Sequence, residues 1–292
     1  MSLSPGAETR EDLSLRHFRR ALASLDHDSL FHAALLISAI PHGSALKDRW
    51  WEAPSQQFDS FVTDTQLALH TVSEDLSPRD ALQFVARHFH DRLGFHGNRD
   101  NYHAPENSSL LDALRTRQGL PLTVAILLIT LGRRLHLDLF GVGTPGHFLV
   151  GANLPTETLY LDPFNGPVVM DAAEAANAVS LQTGIPADQI VPFLRAARPR
   201  DVLLRMLNNI KGAYMKQGDL RRISTTLGWI LEVDSSRVDE LRNRGLIRLR
   251  IGEVESGARD LLAFLAAEPG SEDRQLIMDE AMRARNLRAR YN

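Results

Sequence analysis

Two stretches decide the fold: GLPLTVAILLITLGRRL, residues 119–135, and TPGHFLVGANLPTETLYLDPF, residues 144–164. The apolar run Val124 to Leu131, opened by Pro121 in a first turn where a missing N–H costs little, predicts a buried helix over 121–135. A short apolar segment at 138–143 predicts a strand. The second stretch predicts a hairpin of HFLVG (147–151), a turn ANLPTE (152–157) and TLYLD (158–162). If Gly151 faces Thr158, then Leu149 faces Tyr160 and His147 faces Asp162, all on one face; Phe148, Val150, Leu159 and Leu161 line the other. An imidazole held by a carboxylate is the base half of a nucleophile–base–orienter site. The nucleophile of such a site normally sits at a helix N-terminus. Pro121 offers none there, and the chain of 292 residues contains no cysteine.

Upstream the chain reads as helices. Leu15, Phe18, Leu22 and Leu25 recur at spacings of three and four, FHAALLISAI continues the pattern, and Pro41 and Gly43 break it. A second amphipathic stretch, 56–75, sets Phe58, Phe61, Val62, Leu69 and Val72 to one side. Ser77-Pro78 caps a third. A long polar loop then runs from Gly97 to Glu106, followed by a short helix starting at an Asn107/Ser108 cap. Long loops inside compact domains are often functional. Asn98, Tyr102, Glu106 and Asn107 are therefore candidate rim residues of a groove, against the alternative of a loop that only satisfies its own backbone. Arg117 is placed to hold an acid, Glu106 among them, or to make a structural salt bridge. Gly119 permits a tight turn into the helix, whose free N–H groups at 122–123 can bind an anion or a carbonyl oxygen. Thr123 stands two residues past Pro121, about 200° round the helix, so its hydroxyl points away from the nucleophile position. His88, His90, His96 and His103, at spacings of 2, 6 and 7, match no ligand pattern, and neither metal nor cofactor is expected.

Downstream of about 200 the chain repeats itself at an offset of 34 residues: Leu207 with Leu241, Asn209 with Asn243, Gly218 with Gly252, Leu227 with Leu261, Leu231 with Leu265. That period is the helix–turn–helix unit of tetratricopeptide repeats, and GAYMKQGDL has its small–aromatic–glycine pattern. Residues 271–290 suit a capping helix. Two repeats are fewer than a free-standing solenoid needs, so they are expected to dock on the core. The expected domains are a helical region 1–76, a core 77–195 and repeats 200–292.

With 33 basic and 36 acidic residues the net charge is −3, which points to no nucleic-acid partner. Hydrophobic residues make up 43%, as in a soluble globular protein. The first twenty residues lack an apolar core of signal-peptide length, and the longest apolar run is too short to span a bilayer. The expectation is a cytoplasmic protein with no membrane partner. The missing cysteine excludes disulfides, thiolate zinc sites and a cysteine nucleophile.

Gly119, Pro121 and Ala125, followed by His147 and by Asp162-Pro163, resemble the transglutaminase-like, papain-fold superfamily. Its helix begins G-x-C-x-x-x-A, its next strand carries a histidine, and the strand after that ends in Asp-Pro. GNRDNYHAPENSSLLDALRTRQGLPLT, GVGTPGHFLV, LDPFNG and MLNNIKGAYMKQGDLRR resemble more closely its SirB-type branch, which joins this domain to tetratricopeptide repeats; the resemblance runs from about residue 30 onward. It implies an α+β fold: a helical N-terminal region packed with a papain-like core of buried helix and antiparallel strands, then an all-α repeat region. Pro121 in the cysteine place implies a pseudoenzyme that binds a protein, peptide or small ligand in a groove lined by Asn98, Tyr102, Glu106, Asn107, Arg117, Gly119 and Pro121. Two alternatives stand beside it. One is a hydrolase or acyl-transfer enzyme using His147 and Asp162 with water or Thr123; the other is a scaffold acting through its repeats.

Overall fold

A helix apolar on every side has to be buried on every side. In the computed structural model α7 (Pro121–Arg134) is such a helix, with everything from Pro121 to Gly132 buried. The structure describes residues 10–27, 29–43, 46, 49–72 and 76–291, without the side chains of 10–12, 281 and 284–291; the segment 1–9, read above for a leader, lies outside it. The chain divides into two compact units, Met1–Met206 and Leu207–Asn292.

In the first unit α1 (Arg10–Ala23), α2 (Leu30–Ile37), α3 (Ala39–His42), α4 (Glu52–Val72) and α5 (Pro78–Arg87) precede the core. Ser77 caps α5, accepting the Asp80 N–H at 3.1 Å, with Pro78 in the first turn. A π-helical turn, His88–Arg92, leads to β1 (His96–Gly97). A 3-10 turn at Pro105–Ser108 then precedes α6 (Leu110–Thr116), and β2 (Gln118–Gly119) pairs in parallel with β1 immediately before α7. The cap of α6 is Ser109, not Asn107 or Ser108. Pro105 opens the 3-10 turn that occupies those two residues.

β3 (Asp138–Thr144), β4 (His147–Asn153), β5 (Thr158–Leu161) and β6 (Val169–Met170) form an antiparallel sheet in that order. Its register corrects the sequence expectation by two residues: Gly151 faces Tyr160 and Asn153 faces Thr158. The turn is only four residues, closed by Leu154 N–H to Glu157 O at 2.8 Å. Ala152 and Asn153 stay in the strand because Ala152 is buried and Asn153 donates to Asp138 on β3 at 2.8 Å. A slip of two preserves which face each side chain takes. Gly141 and Phe148 meet Ile129 of α7 on one face. On the other, Phe140, Val142, Leu149, Tyr160 and Met170 pack with Ala175, Ala176 and Val179 of α8 (Ala172–Thr183). That second face carries His147. α9 (Ala187–Ile190) follows and buries Ile190 in the same cluster.

α10 (Pro199–Gln217) leads into the second unit, where α11 (Leu220–Val233), α12 (Val238–Arg250), α13 (Val254–Ala267) and α14 (Arg274–Tyr291) follow. α11 and α13 begin and end 34 residues apart. The turns before them both use glycine at positive φ, Gly218 at 70° and Gly252 at 85°, which explains why glycine recurs at that offset. Leu261, Phe264, Leu265 and Ile277 belong to one core cluster of this unit.

Candidate functional site

His147 opens β4 and Asp162 follows β5. With Leu149 opposite Asp162 by continuation of the ladder, the two residues are diagonal neighbours on one face, within reach of long side chains. His147 Nε2 lies 2.8 Å from Asp162 Oδ2. Asp162 also accepts the Asn165 side-chain amide at 2.6 Å and the Phe164 N–H at 3.2 Å. Its carboxylate therefore gathers three donors from the hairpin and the turn after it. His147 is 1% exposed, and its Nδ1 has no hydrogen-bond partner among the described residues.

Phe164 covers this pair. Its ring meets the imidazole edge-on at a centroid distance of 6.1 Å, Tyr102 meets it from the loop side at 6.1 Å, and Arg99 lies over it at 5.7 Å. The ring also presses on Gly97, where any β-carbon would collide with it. Gly97 N–H donates to Phe164 O at 3.1 Å, tying β1 to the turn after β5. Arg99 reaches Asn165 Oδ1 at 2.5 Å. Phe164 and Asn165 stand in LDPFNG and Arg99 in GNRDNYH, but local pattern assigns none of them a role.

At the head of α7, Leu120 N–H and the Thr123 hydroxyl both donate to Asn107 O, at 2.9 and 2.7 Å. The Thr123 proton is thus given to a backbone carbonyl, and Thr123 is 1% exposed. Leu122 and Thr123 N–H groups precede the first helical bond, Val124 N–H to Leu120 O. Gly119 packs against Thr123 and leaves 3.1 Å for a β-carbon, so close packing sets glycine here. Pro121 is buried at the first position.

The loop residues divide. Asn107 is buried and donates to Asn101 O, while Asn98 donates to Asn107 Oδ1 at 3.0 Å and accepts from the N–H groups of Asp100 and Asn101. Both amides hold the loop's own shape. Tyr102 and Glu106 are exposed at the surface. Burial raises the Tyr102 phenol, and the Arg205 charge opposes that shift. Among the described residues Arg117 pairs with no acid: its guanidinium lies over the rings of Phe61 at 4.2 Å and Phe95 at 4.9 Å, and burial lowers its pKa. A left-handed backbone at φ 63° turns it there.

His88 pairs with Asp64, His90 with Asp91, and His96 with Gly94 O and Gln118, while His103 stacks edge-on with Tyr102. Among the described residues no group of three or more His, Asp or Glu side chains could hold a metal ion.

The family model described as the transglutaminase-like superfamily matches residues 54–208, and that of the tetratricopeptide repeat matches 210–282. A UPF0162 protein of Xylella fastidiosa (strain 9a5c) is 30% identical over 88% of this chain and 91% of its own. A UPF0162 protein of Vibrio cholerae is 37% identical over 65% and 71%, and the UPF0162 protein YchA of Escherichia coli (strain K12) is 25% identical over 77% and 84%. No solved structure matches the chain. The chain belongs to the transglutaminase-like superfamily, in the UPF0162 group, with tetratricopeptide repeats following the domain.

Proposed function

We propose that this member of the transglutaminase-like superfamily is a pseudoenzyme of the SirB type, a cytoplasmic module that recognises a polypeptide segment beside the remodelled site. The observation that carries the reading is the burial of the imidazole, 1% exposed under Phe164, in a chain whose helix tip bears Pro121 and no thiol. Thr123 supports it, because a hydroxyl that donates to Asn107 O has no proton to give a base. The His147–Asp162 pair then serves to pin the hairpin, and Tyr102 and Glu106 offer the accessible rim. Tetratricopeptide repeats, a fold class built for protein contacts, agree with a polypeptide partner.

One observation favours the rival reading of a hydrolase: the buried Nδ1 of His147 accepts no hydrogen bond from the described residues, which leaves its lone pair uncommitted. The two readings part in an assay with casein and a fluorescent primary amine, following both peptide release and amine incorporation. The expected result is no turnover above that of His147→Ala; turnover that depends on His147 overturns the pseudoenzyme. For binding, a pull-down compares wild type with Tyr102→Ala/Glu106→Ala. Equal capture by both removes the rim from the proposal.

A further inference from the structure

Beside the covered pair lies an open cavity of about 520 Å³, inside the range that holds small ligands, whose lining includes Gly143, Phe148, Phe193, Arg195, Arg198, Asp201 and Arg205. Its chemistry is specific. In the β3–β4 ladder the Thr144–His147 pair adjoins the two-residue Pro145-Gly146 turn and is hydrogen-bonded, so Gly141 and Gly143 direct their N–H and C=O groups away from β4. Ala197 N–H takes Gly141 O at 2.8 Å. Gly143 has no such partner among the described residues. The open edge is therefore one residue long: residue 197 closes it on one side, and Pro145 ends it on the other. A passing strand needs more edge than this; a chain end does not.

The charge around that edge is unbalanced. Arg198 pairs with Asp201 at 2.8 Å, but neither Arg195 nor Arg205 has a carboxylate partner among the described residues. Arg205 is fixed: it donates to Thr144 O at 3.0 Å and His147 O at 2.7 Å, and lies over the Phe148 ring at 5.5 Å. A guanidinium has five N–H groups, so others remain to grip an anion in a fixed plane. Phe148 and Phe193, the latter 41% exposed, supply apolar walls.

We propose that this cavity receives the C-terminal residue of an extended polypeptide. The carboxylate is held by Arg205 with Arg195 at the rim, the last peptide N–H donates to Gly143 O, and an apolar last side chain lies between Phe148 and Phe193. The proposal rests on reading the domain as a polypeptide-recognition module, and it names the end of the partner that is recognised.

Fluorescence anisotropy on the full chain tests it, with the probe fluorescein-Gly-Ser-Gly-Ser-Ala-Leu as free acid and as C-terminal amide. The free acid is expected to bind at least about tenfold more tightly, the loss of one charged anchor. Arg205→Gln is expected to abolish the preference, and the exposed Arg195→Ala to lower affinity severalfold and flatten its salt dependence. Should Arg205→Gln fold poorly, methylation of the probe's last amide nitrogen tests the Gly143 contact without changing the protein; about tenfold weaker binding is expected. Equal affinity for acid and amide overturns the proposal, as does no binding of either, or an amidated probe with an internal aspartate that binds as well as the free acid. If the proposal fails while the rim-dependent pull-down keeps its partner, only the anchor is removed and the module stands. Loss of both removes the module as well.

Discussion

Replacing Asp162 by Asn keeps the shape and removes one charge at the place where three donors meet. In the wild type the carboxylate accepts from His147 Nε2 at 2.8 Å, from the Asn165 amide at 2.6 Å and from Phe164 N–H at 3.2 Å. A carboxylate accepts on both oxygens, whereas an amide accepts on one and donates on the other. One flip of the new amide sets its NH2 against the imidazole and Asn165; the other sets it against Phe164 N–H. The first flip forces the ring proton to Nδ1, an atom with no acceptor among the described residues. Either way a buried donor is left unmatched, at about 3–5 kcal/mol for a broken buried pair. At about 2–4 °C per kcal/mol for a unit of this size, the melting temperature should fall by roughly 6–20 °C. The tautomer is read by long-range proton–nitrogen NMR on histidine-labelled protein, with His147→Gln to assign the ring. An unchanged tautomer together with a shift below about 2 °C would show that the pair does not hold the hairpin.

Phe164→Ala should uncover His147. Diethyl pyrocarbonate, read by mass spectrometry, is expected to modify that ring at least roughly tenfold faster than in wild type, with a stability loss of about 3–5 kcal/mol; equal rates refute the covering role. Thr123→Val removes the 2.7 Å bond to Asn107 O and should cost about 1 kcal/mol, while Thr123→Ser should not, and neither should alter the casein assay. If both variants behave alike in urea titrations, that bond does not fix the helix head. The third test is acid. Burial raises the Asp112 carboxyl, but hydrogen bonds from His42 and Ser109 and the Arg115 charge bring it below its ordinary value. A carboxyl lowered on folding adds stability above its unfolded pKa of about 3.9, and that stability is lost as pH falls through the lower folded value. Asp112→Asn should therefore be less stable than wild type at pH 7 and converge on it below about pH 4, by urea midpoints. A gap that stays constant with pH refutes the assignment.

What the sequence makes legible follows from periodicity. α7 is readable because its apolar run is longer than a strand and opens with Pro121. The repeat is readable because Gly218 and Gly252 must both take positive φ. The faces of the hairpin are readable because a period of two survives a slip of two. The register is not, because Ala152 and Asn153 look like turn residues until Asp138 of β3 is there to pair with Asn153. The start of α6 is ambiguous because Asn107, Ser108 and Ser109 are all competent caps, and the 3-10 turn that takes up Asn107 and Ser108 leaves Ser109 to serve. Phe164 over His147 and Arg205 under the hairpin are contacts between distant segments, on which local pattern is silent. Arg117 illustrates the same limit: its charge predicts an acid partner, but Phe61 and Phe95 come from elsewhere in the fold.

The two halves of the candidate site are separable in physical terms, and that explains how one can change while the other stays. A proline at the first position of a helix removes an N–H that has no intrahelical acceptor, so Pro121 leaves the helix intact and offers no thiol there. His147 and Asp162 have no such freedom. Asp162 accepts from His147 Nε2, the Asn165 amide and Phe164 N–H, so losing the carboxylate strands three donors, and losing the imidazole leaves a buried carboxylate with one donor fewer. The carbonyls of His147 on β4 and of Thr144 at the end of β3 fix Arg205 at the open cavity. A pair that resembles catalytic machinery thus positions, through its strand, the one guanidinium best placed to bind an anion. On this account His147 acts on recognition through the geometry of β4, and Asp162→Asn should weaken the free-acid probe along with the hairpin, leaving the amide unaffected.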